Sequence, residues 1–264
     1  MTTTEPVLRV EKALKEKVCW HGRVVGVYEH AVSIRTDDSE LVSLLTTVPG
    51  GPCSAHVIPS VPGRVKPGMP ARGHHGTLTL GEEISLDLNL APAWDATMPR
   101  ITLPAPDSIK HTIETLERYI EPPAITGQDG MESALHQALA SDTKLQPVIS
   151  NLIGRGVGLT PEGDDVIIGL LASADLLHSS TVQIIRETVE NGLEKTTWIS
   201  QCFLRFALDR KFAEPVIRLF QALTREDEPS FQQAAASLTT VGATSGIATL
   251  RGILTVLRAR STFA

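Results

Sequence analysis

A glycine-rich segment followed by two carboxylates lies in the middle of the chain, where residues 151–169 read NLIGRGVGLTPEGDDVIIG. Glycine permits backbone conformations that are closed to other residues, and it leaves room for a ligand. Thr160 is a good N-cap, and Pro161 suits the first position of a helix. A glycine-rich turn that leads into a helix N-terminus presents unpaired amide groups to an anion. The segment therefore predicts an anion site, with a tight loop between two helices as the alternative.

Asp164 and Asp165 fall in the first turn of this helix, directly before an apolar run at 166–171. Acidic residues there commonly stabilise the helix dipole, by about 0.3–1 kcal/mol each. Beside apolar sequence, however, each carboxylate needs a donor, a cation or a ligand, because unpaired burial is costly. Successive helical residues point about 100° apart, so we do not expect both to bind one ion directly. Because they would repel an anion, Arg155, another basic group or a metal ion must offset their charge.

Two further segments rich in threonine, serine and glycine precede predicted helices. Residues 241–252 read VGATSGIATLRG, and residues 196–200 read TTWIS with Thr197 as a plausible N-cap. Each alone is more often a cap than a site, but three such helix starts that converged would build a polar pocket. We predict Asp164 and Asp165 as catalytic residues. The predicted ligand-binding residues are Arg155, Gly156, Gly158, Thr160, Gly163, Thr196, Thr197, Thr244, Ser245 and Gly246.

The elements that must position these residues change character along the chain. From residue 18 to about 100, short β-branched and apolar runs alternate with Pro- and Gly-rich turn signals, which predicts a small barrel or sandwich. After a proline-rich linker that includes Pro99 and Pro104, the apolar period becomes helical. A first helical face runs from Ile109 to Ile120, with Pro122-Pro123 as its stop. Further helices are predicted at about 130–141, 144–153, 161–178, 181–194, 197–209, 212–224, 229–239 and 244–260.

The sequence thus predicts an α+β protein of two parts. The first, residues 1–105, is a β-rich domain with a barrel- or sandwich-like core and the linker. The second, residues 106–264, is a mainly helical domain that carries the glycine-rich motif.

Composition narrows the classes of partner. The net charge is −6 and the basic residues are scattered, so nucleic acid is not expected. Cys19, Cys53 and Cys202 have no paired spacing, which indicates reduced thiols and no zinc signature. His74-His75 is a conspicuous pair, but adjacent histidines in a turn are more often exposed loop residues than ligands. The sequence has no secretion signal and no apolar run near the roughly 20 residues of a membrane span, so we expect a cytoplasmic protein without a membrane partner. We also expect no cofactor and no bound metal.

The motif GxGLTPxGDD, which is Gly156 to Asp165 here, resembles the AllH-like family, the subunit type associated with microbial oxamate carbamoyltransferase. The resemblance extends to the segments at 196–200 and 242–252 and to the order of a β-rich part before helices. It implies carbamoyl transfer between carbamoyl phosphate and oxamate, in purine (allantoin) breakdown. It also implies a small anionic ligand and larger partner subunits in a hetero-complex.

The third segment departs from the family pattern, which reads GHTSGxD. Ala243 and Ala248 stand at the histidine and aspartate positions. This difference keeps a second reading open, a non-catalytic binding or assembly subunit of such a complex. A third reading, a metal-dependent hydrolase that uses Asp164 and Asp165, lacks convincing partner ligands and ranks last.

Overall fold

The chain divides into two compact units, Met1–Thr97 and Met98–Ala264. The computed structural model describes residues 3–47, 49–101, 106–120, 129–141 and 144–261. The predicted linker residue Pro104 and the predicted helix stop at Pro122-Pro123 lie outside the described residues. Within the described parts of the chain, no helix is both long and apolar enough to cross a bilayer.

The N-terminal unit is a closed sheet of short strands. The strands are β1 (Thr3–Glu11), β2 (Cys19–Val27), β3 (Ala31–Thr36), β4 (Leu41–Leu45), β5 (Ser54–Val57), β6 (Pro70–His74), β7 (Thr77–Leu80), β8 (Ile84–Asp87) and β9 (Ala93–Trp94). Eight of them pair in the order β5-β4-β3-β2-β6-β7-β8-β1, and β1 also pairs with β5, which closes an eight-stranded barrel. Strand β9 pairs with the end of β1, and the short helix α1 (Lys12–Glu16) follows β1 directly.

Alternation of apolar and polar residues is what makes these segments strands with one buried face. In β2 every second residue is buried, and β8 alternates in the same way. The buried side chains form one core, which includes Val10, Val24, Val32, Ile34, Leu44, Val57, Leu78, Leu80, Ile84 and Leu86. The predicted β-rich first part and its barrel alternative are confirmed. Strand β1 and helix α1 were not predicted, because charged residues interrupt the apolar pattern before residue 18.

The described part of the second unit is helical. The predicted helices are confirmed, with two differences. The one predicted at 161–178 ends at Ala172 and continues only as a 3-10 turn at Ala174–Leu176. The one predicted at 181–194 spans Ser179–Glu190 and is followed by a separate 3-10 turn at Leu193–Lys195. The helices are α2 (Pro106–Glu117), α3 (Asp129–Ser141), α4 (Leu145–Leu152), α5 (Glu162–Ala172), α6 (Ser179–Glu190), α7 (Trp198–Leu208), α8 (Glu214–Arg225), α9 (Glu228–Thr239) and α10 (Ser245–Ser261).

Helices α5 and α10 cross backbone to backbone at a pair of glycines. A Cβ added to Gly169 would lie 2.2 Å from the carbonyl oxygen of Thr249, and one added to Gly252 would lie 2.2 Å from that of Val166. No side chain fits at these distances, so the crossing requires glycine on both helices. The contact fixes the start of α5, with its two aspartates, beside the start of α10.

Candidate functional site

The glycine-rich turn leads into α5 through Pro161 and not through a threonine cap. Pro161 occupies the N-cap position with extended backbone, and its carbonyl oxygen accepts hydrogen bonds from the amides of Asp164 and Asp165 at 3.0 and 3.3 Å. The prediction of Thr160 as the N-cap was therefore wrong. The Thr160 hydroxyl instead lies 2.9 Å from that of Ser245, at the first residue of α10.

Asp164 is the centre of a buried hydrogen-bond cluster. Its side chain is fully buried. One carboxylate oxygen accepts from the Gly154 amide at 2.8 Å, and the other accepts from the hydroxyls of Ser200, at 2.7 Å, and Thr196. Charge-assisted hydrogen bonds of this kind are roughly twice as strong as neutral ones. Asp164 thus joins the turn before α5 to the start of α7.

The turn and α7 are joined at two further points. Thr197 is the N-cap of α7, as predicted, since its hydroxyl accepts from the Ser200 amide at 3.1 Å. The same hydroxyl donates to the carbonyl oxygen of Leu159. Gly154 has a φ of +73°, and a Cβ there would lie 2.3 Å from the carbonyl oxygen of Lys195. Only glycine combines this backbone conformation with this close approach.

Asp165 points to α10 and has different partners. Side-chain hydrogen bonding with Ser245 and Thr160 lowers the pKa of its carboxyl. The residue is only 4% exposed, and its buried Oδ2 atom has no hydrogen-bond partner among the described residues. As expected from their spacing on the helix, the two aspartates face different neighbours.

The environment of Asp165 favours its neutral form. Burial, with the charges of Asp164 and Glu162, raises the pKa of Asp165 from 3.8 to about 7, against the lowering effect of the Ser245 and Thr160 hydrogen bonds.

A basic side chain that pairs with the start of α5 was not among the predicted site residues. The Arg251 guanidinium, from α10, pairs with Glu162 at 2.6 Å, and both side chains are largely buried. Arg155, which the sequence suggested for this role, is exposed at the surface. The spacing of Arg251 within α10 carries no signal for this pair, because the contact depends on how α5 and α10 cross.

The structure brings together the starts of α5, α7 and α10, which sequence reasoning left open. Thr196 lies beside Asp164, and Thr197 lies next to it as the N-cap of α7. Thr160 and Ser245 lie beside Asp165. Ser200, which donates to Asp164, was not among the predicted residues. Four other predicted residues are exposed to solvent and do not belong to this cluster: Arg155, Gly156, Gly158 and Thr244.

Close packing gives a reason for two of the predicted glycines. A Cβ at Gly163 would lie 2.1 Å from the carbonyl oxygen of Leu152, and one at Gly246 would lie 1.7 Å from that of Leu238. Both glycines therefore let neighbouring backbones approach. A cavity of about 570 Å³ lies between α4 and α6, where its walls include Lys144, Ser150, Glu187 and Lys195, and none of the predicted residues lines it.

A pH-dependent loss of stability should follow from Asp165. The folded chain holds this proton to a higher pH than the unfolded chain, so the favourable contribution is complete below about pH 4 and is lost as the pH rises through about 7. Relative to Asp165→Asn, the free energy of unfolding of the wild-type protein should fall by about 2–3 kcal/mol between pH 5 and pH 8. Urea unfolding at both pH values measures this difference. The exposed Asp209→Asn variant should track the wild type, and a pH-independent difference for Asp165→Asn would contradict the assignment.

Comparison with known families covers both units. Residues 152–257 match the model of oxamate carbamoyltransferase subunit AllH, and residues 3–93 match the AllH family N-terminal domain. No solved structure matches the chain. The first match includes the starts of α5, α7 and α10 with both aspartates, and the second spans the barrel. The chain therefore belongs to the AllH family, the family of a subunit of oxamate carbamoyltransferase.

Proposed function

We propose that this chain is a cytoplasmic subunit of a carbamoyltransferase that acts on carbamoyl phosphate and oxamate, or a similar small carboxylate, in purine or allantoin breakdown. The family match supports the reaction class. The observation that supports a ligand site in this chain is the buried, unpartnered Oδ2 of Asp165 beside the Thr160 and Ser245 hydroxyls, where the starts of two helices meet.

The chemistry of the substrates fits such a place. Carbamoyl phosphate is a dianion and oxamate a carboxylate, and helix N-termini with free amides and hydroxyls bind both kinds of group. The ligand would approach over the exposed residues 156–159 and the exposed Thr244. Arg155, on the same exposed turn, and Arg251, paired with Glu162, would offset part of the acidic charge.

The two aspartates would have separate roles. In the transfer, the amide nitrogen of oxamate attacks the carbamoyl carbon, a C–N bond forms, the C–O bond to phosphate breaks, and the nitrogen loses a proton. Asp165 is our candidate to accept that proton, since a pKa near 7 suits proton transfer at neutral pH. Asp164, with three donors on its carboxylate, would be a positioning residue that holds the turn. Amides of the turn would stabilise the oxyanion on the carbamoyl carbon.

Ligand-dependent thermal unfolding tests this proposal. A ligand at 100 times its Kd adds about 2.7 kcal/mol, which should raise the unfolding midpoint of the full chain by roughly 5–10 °C. We expect this rise with carbamoyl phosphate or oxamate, its loss in Asp165→Ala, and its retention in the exposed control Asp209→Ala.

Each remaining outcome favours one alternative. A rise that survives in Asp165→Ala would remove that residue from the site. A rise with magnesium alone would support the metal-dependent hydrolase. No rise with any ligand for the isolated chain, together with stable association with larger subunits, would favour the binding or assembly subunit.

One observation favours that assembly role. Ala248, where the family pattern has aspartate, is fully buried, while Ala243, at the histidine position, is exposed. A side chain at 248 thus faces the protein interior, and the exposed position 243 has no imidazole.

Next to the polar cluster, Val157 is 94% exposed and Leu159 is 48% exposed. Apolar side chains this exposed are suited to contact with another subunit.

Substitution on this loop tests the partner contact. Val157→Asp should weaken co-purification with the larger subunits by at least about tenfold, which corresponds to about 1.4 kcal/mol, because it places a charge in an apolar contact. The matched control is Leu90→Asp, which alters a residue that is 86% exposed in the other unit and should leave the association unchanged. Equal recovery of the complex with both variants would show that the loop at 156–159 does not contact the partner subunits.

A further inference from the structure

Three potential metal ligands meet on the outside of the barrel, in the unit that does not carry the polar cluster. Cys19 begins β2 and His74 ends β6, and the two residues are direct partners in the antiparallel pairing of these strands. His75 follows His74 in the chain. The cysteine sulfur and one ring nitrogen of each histidine all lie within 4.8 Å of one another, and all three residues are exposed.

The backbone holds His75 in an uncommon conformation at this place. His75 and Gly76, which join β6 to β7, have φ of +47° and +77°. Positive φ at both central residues belongs to the tight hairpin turn that asparagine or glycine usually fills. The His75 amide donates to the Val18 carbonyl oxygen at 2.7 Å, and the His75 carbonyl oxygen accepts from the Asn89 side chain at 3.0 Å. The turn is therefore tied on both sides and presents the two imidazoles beside Cys19.

The donor set selects a class of metal ion. Thiolate and imidazole are the ligands of Zn²⁺ and of similar borderline ions, whereas Mg²⁺ and Ca²⁺ take oxygen ligands. At Zn–S and Zn–N distances of about 2.3 and 2.0–2.1 Å, tetrahedral ligands lie about 3–4 Å apart. The three ligand atoms, which lie within 4.8 Å of one another, exceed that separation by at most about 2 Å. Three protein ligands on an exposed surface leave the fourth position open to water or to an external ligand.

We propose that Cys19, His74 and His75 form a binding site for one Zn²⁺-class ion. When the ion binds, a metal–sulfur bond forms and the Cys19 thiol releases its proton to solvent, while both imidazoles bind through a neutral nitrogen. Affinity therefore rises with pH. The site is independent of the carbamoyl transfer proposed for the helical unit.

Metal titration of the reduced full-length protein tests the site. Zn²⁺ titration by calorimetry should give one ion per chain with a Kd in the micromolar range or below. Co²⁺ should give a sulfur-to-cobalt charge-transfer band in the near ultraviolet. Cys19→Ser should abolish that band, and both Cys19→Ser and His74→Asn should weaken Zn²⁺ binding at least about tenfold. The matched control is His30→Asn, an exposed histidine of the same unit, and it should bind like the wild type.

The contrary results are equally specific. Absence of Zn²⁺ binding by the reduced wild-type protein would overturn the proposal. So would binding that persists unchanged in Cys19→Ser, or an equal loss in His30→Asn, because either result would place the ion elsewhere on the chain. Circular dichroism of each variant separates a loss of ligand from a loss of fold.

Discussion

The buried carboxylate of Asp164 is the interaction on which the arrangement of the helical unit's site depends. A carboxylate that is fully removed from water is stable only when its oxygens accept hydrogen bonds. Asp164 obtains them from Gly154, Ser200 and Thr196, which come from two different segments of the chain. Meeting this need draws the glycine-rich turn and the start of α7 together, and it fixes the first turn of α5 between them.

Once Asp164 is held, the position of Asp165 follows from helix geometry. The next residue points about 100° away, toward α10, which the paired glycines Gly169 and Gly252 hold at backbone contact. The same crossing brings Ser245 beside Thr160. Both carboxyl oxygens of Asp164 therefore have hydrogen-bond partners, whereas Asp165 has one unpartnered oxygen and a raised pKa. Two identical side chains on one helix turn thus have different environments.

The α+β class, the helices and the N-cap at Thr197 were predictable because they depend on local periodicity and local hydrogen bonds. The three helix starts were each recognisable, but their convergence depends on long-range packing that no spacing reveals. The prediction of Thr160 as an N-cap was wrong for the same reason, because its hydroxyl contacts Ser245, which lies 85 residues away in sequence. Arg251 was missed because no motif marks it. Ser200 lies in the recognised segment at 196–200, but its contact with Asp164 depends on long-range packing. Cys19 is likewise far from His74-His75 in sequence, and only the strand register of β2 and β6 shows that they are neighbours.

Amide hydrogen exchange at Gly154 tests the role of Asp164 most directly. In the wild type, the Gly154 amide donates to the Asp164 carboxylate and should be protected from exchange. In Asp164→Ala, this amide should exchange about tenfold faster or more, since losing a hydrogen bond to a charged group costs roughly 1.5–3 kcal/mol. The Val24 amide in the barrel, bonded to Met69, should keep its wild-type rate. An unchanged rate at Gly154 would mean that Asp164 does not hold the turn, and the account of the site would fail.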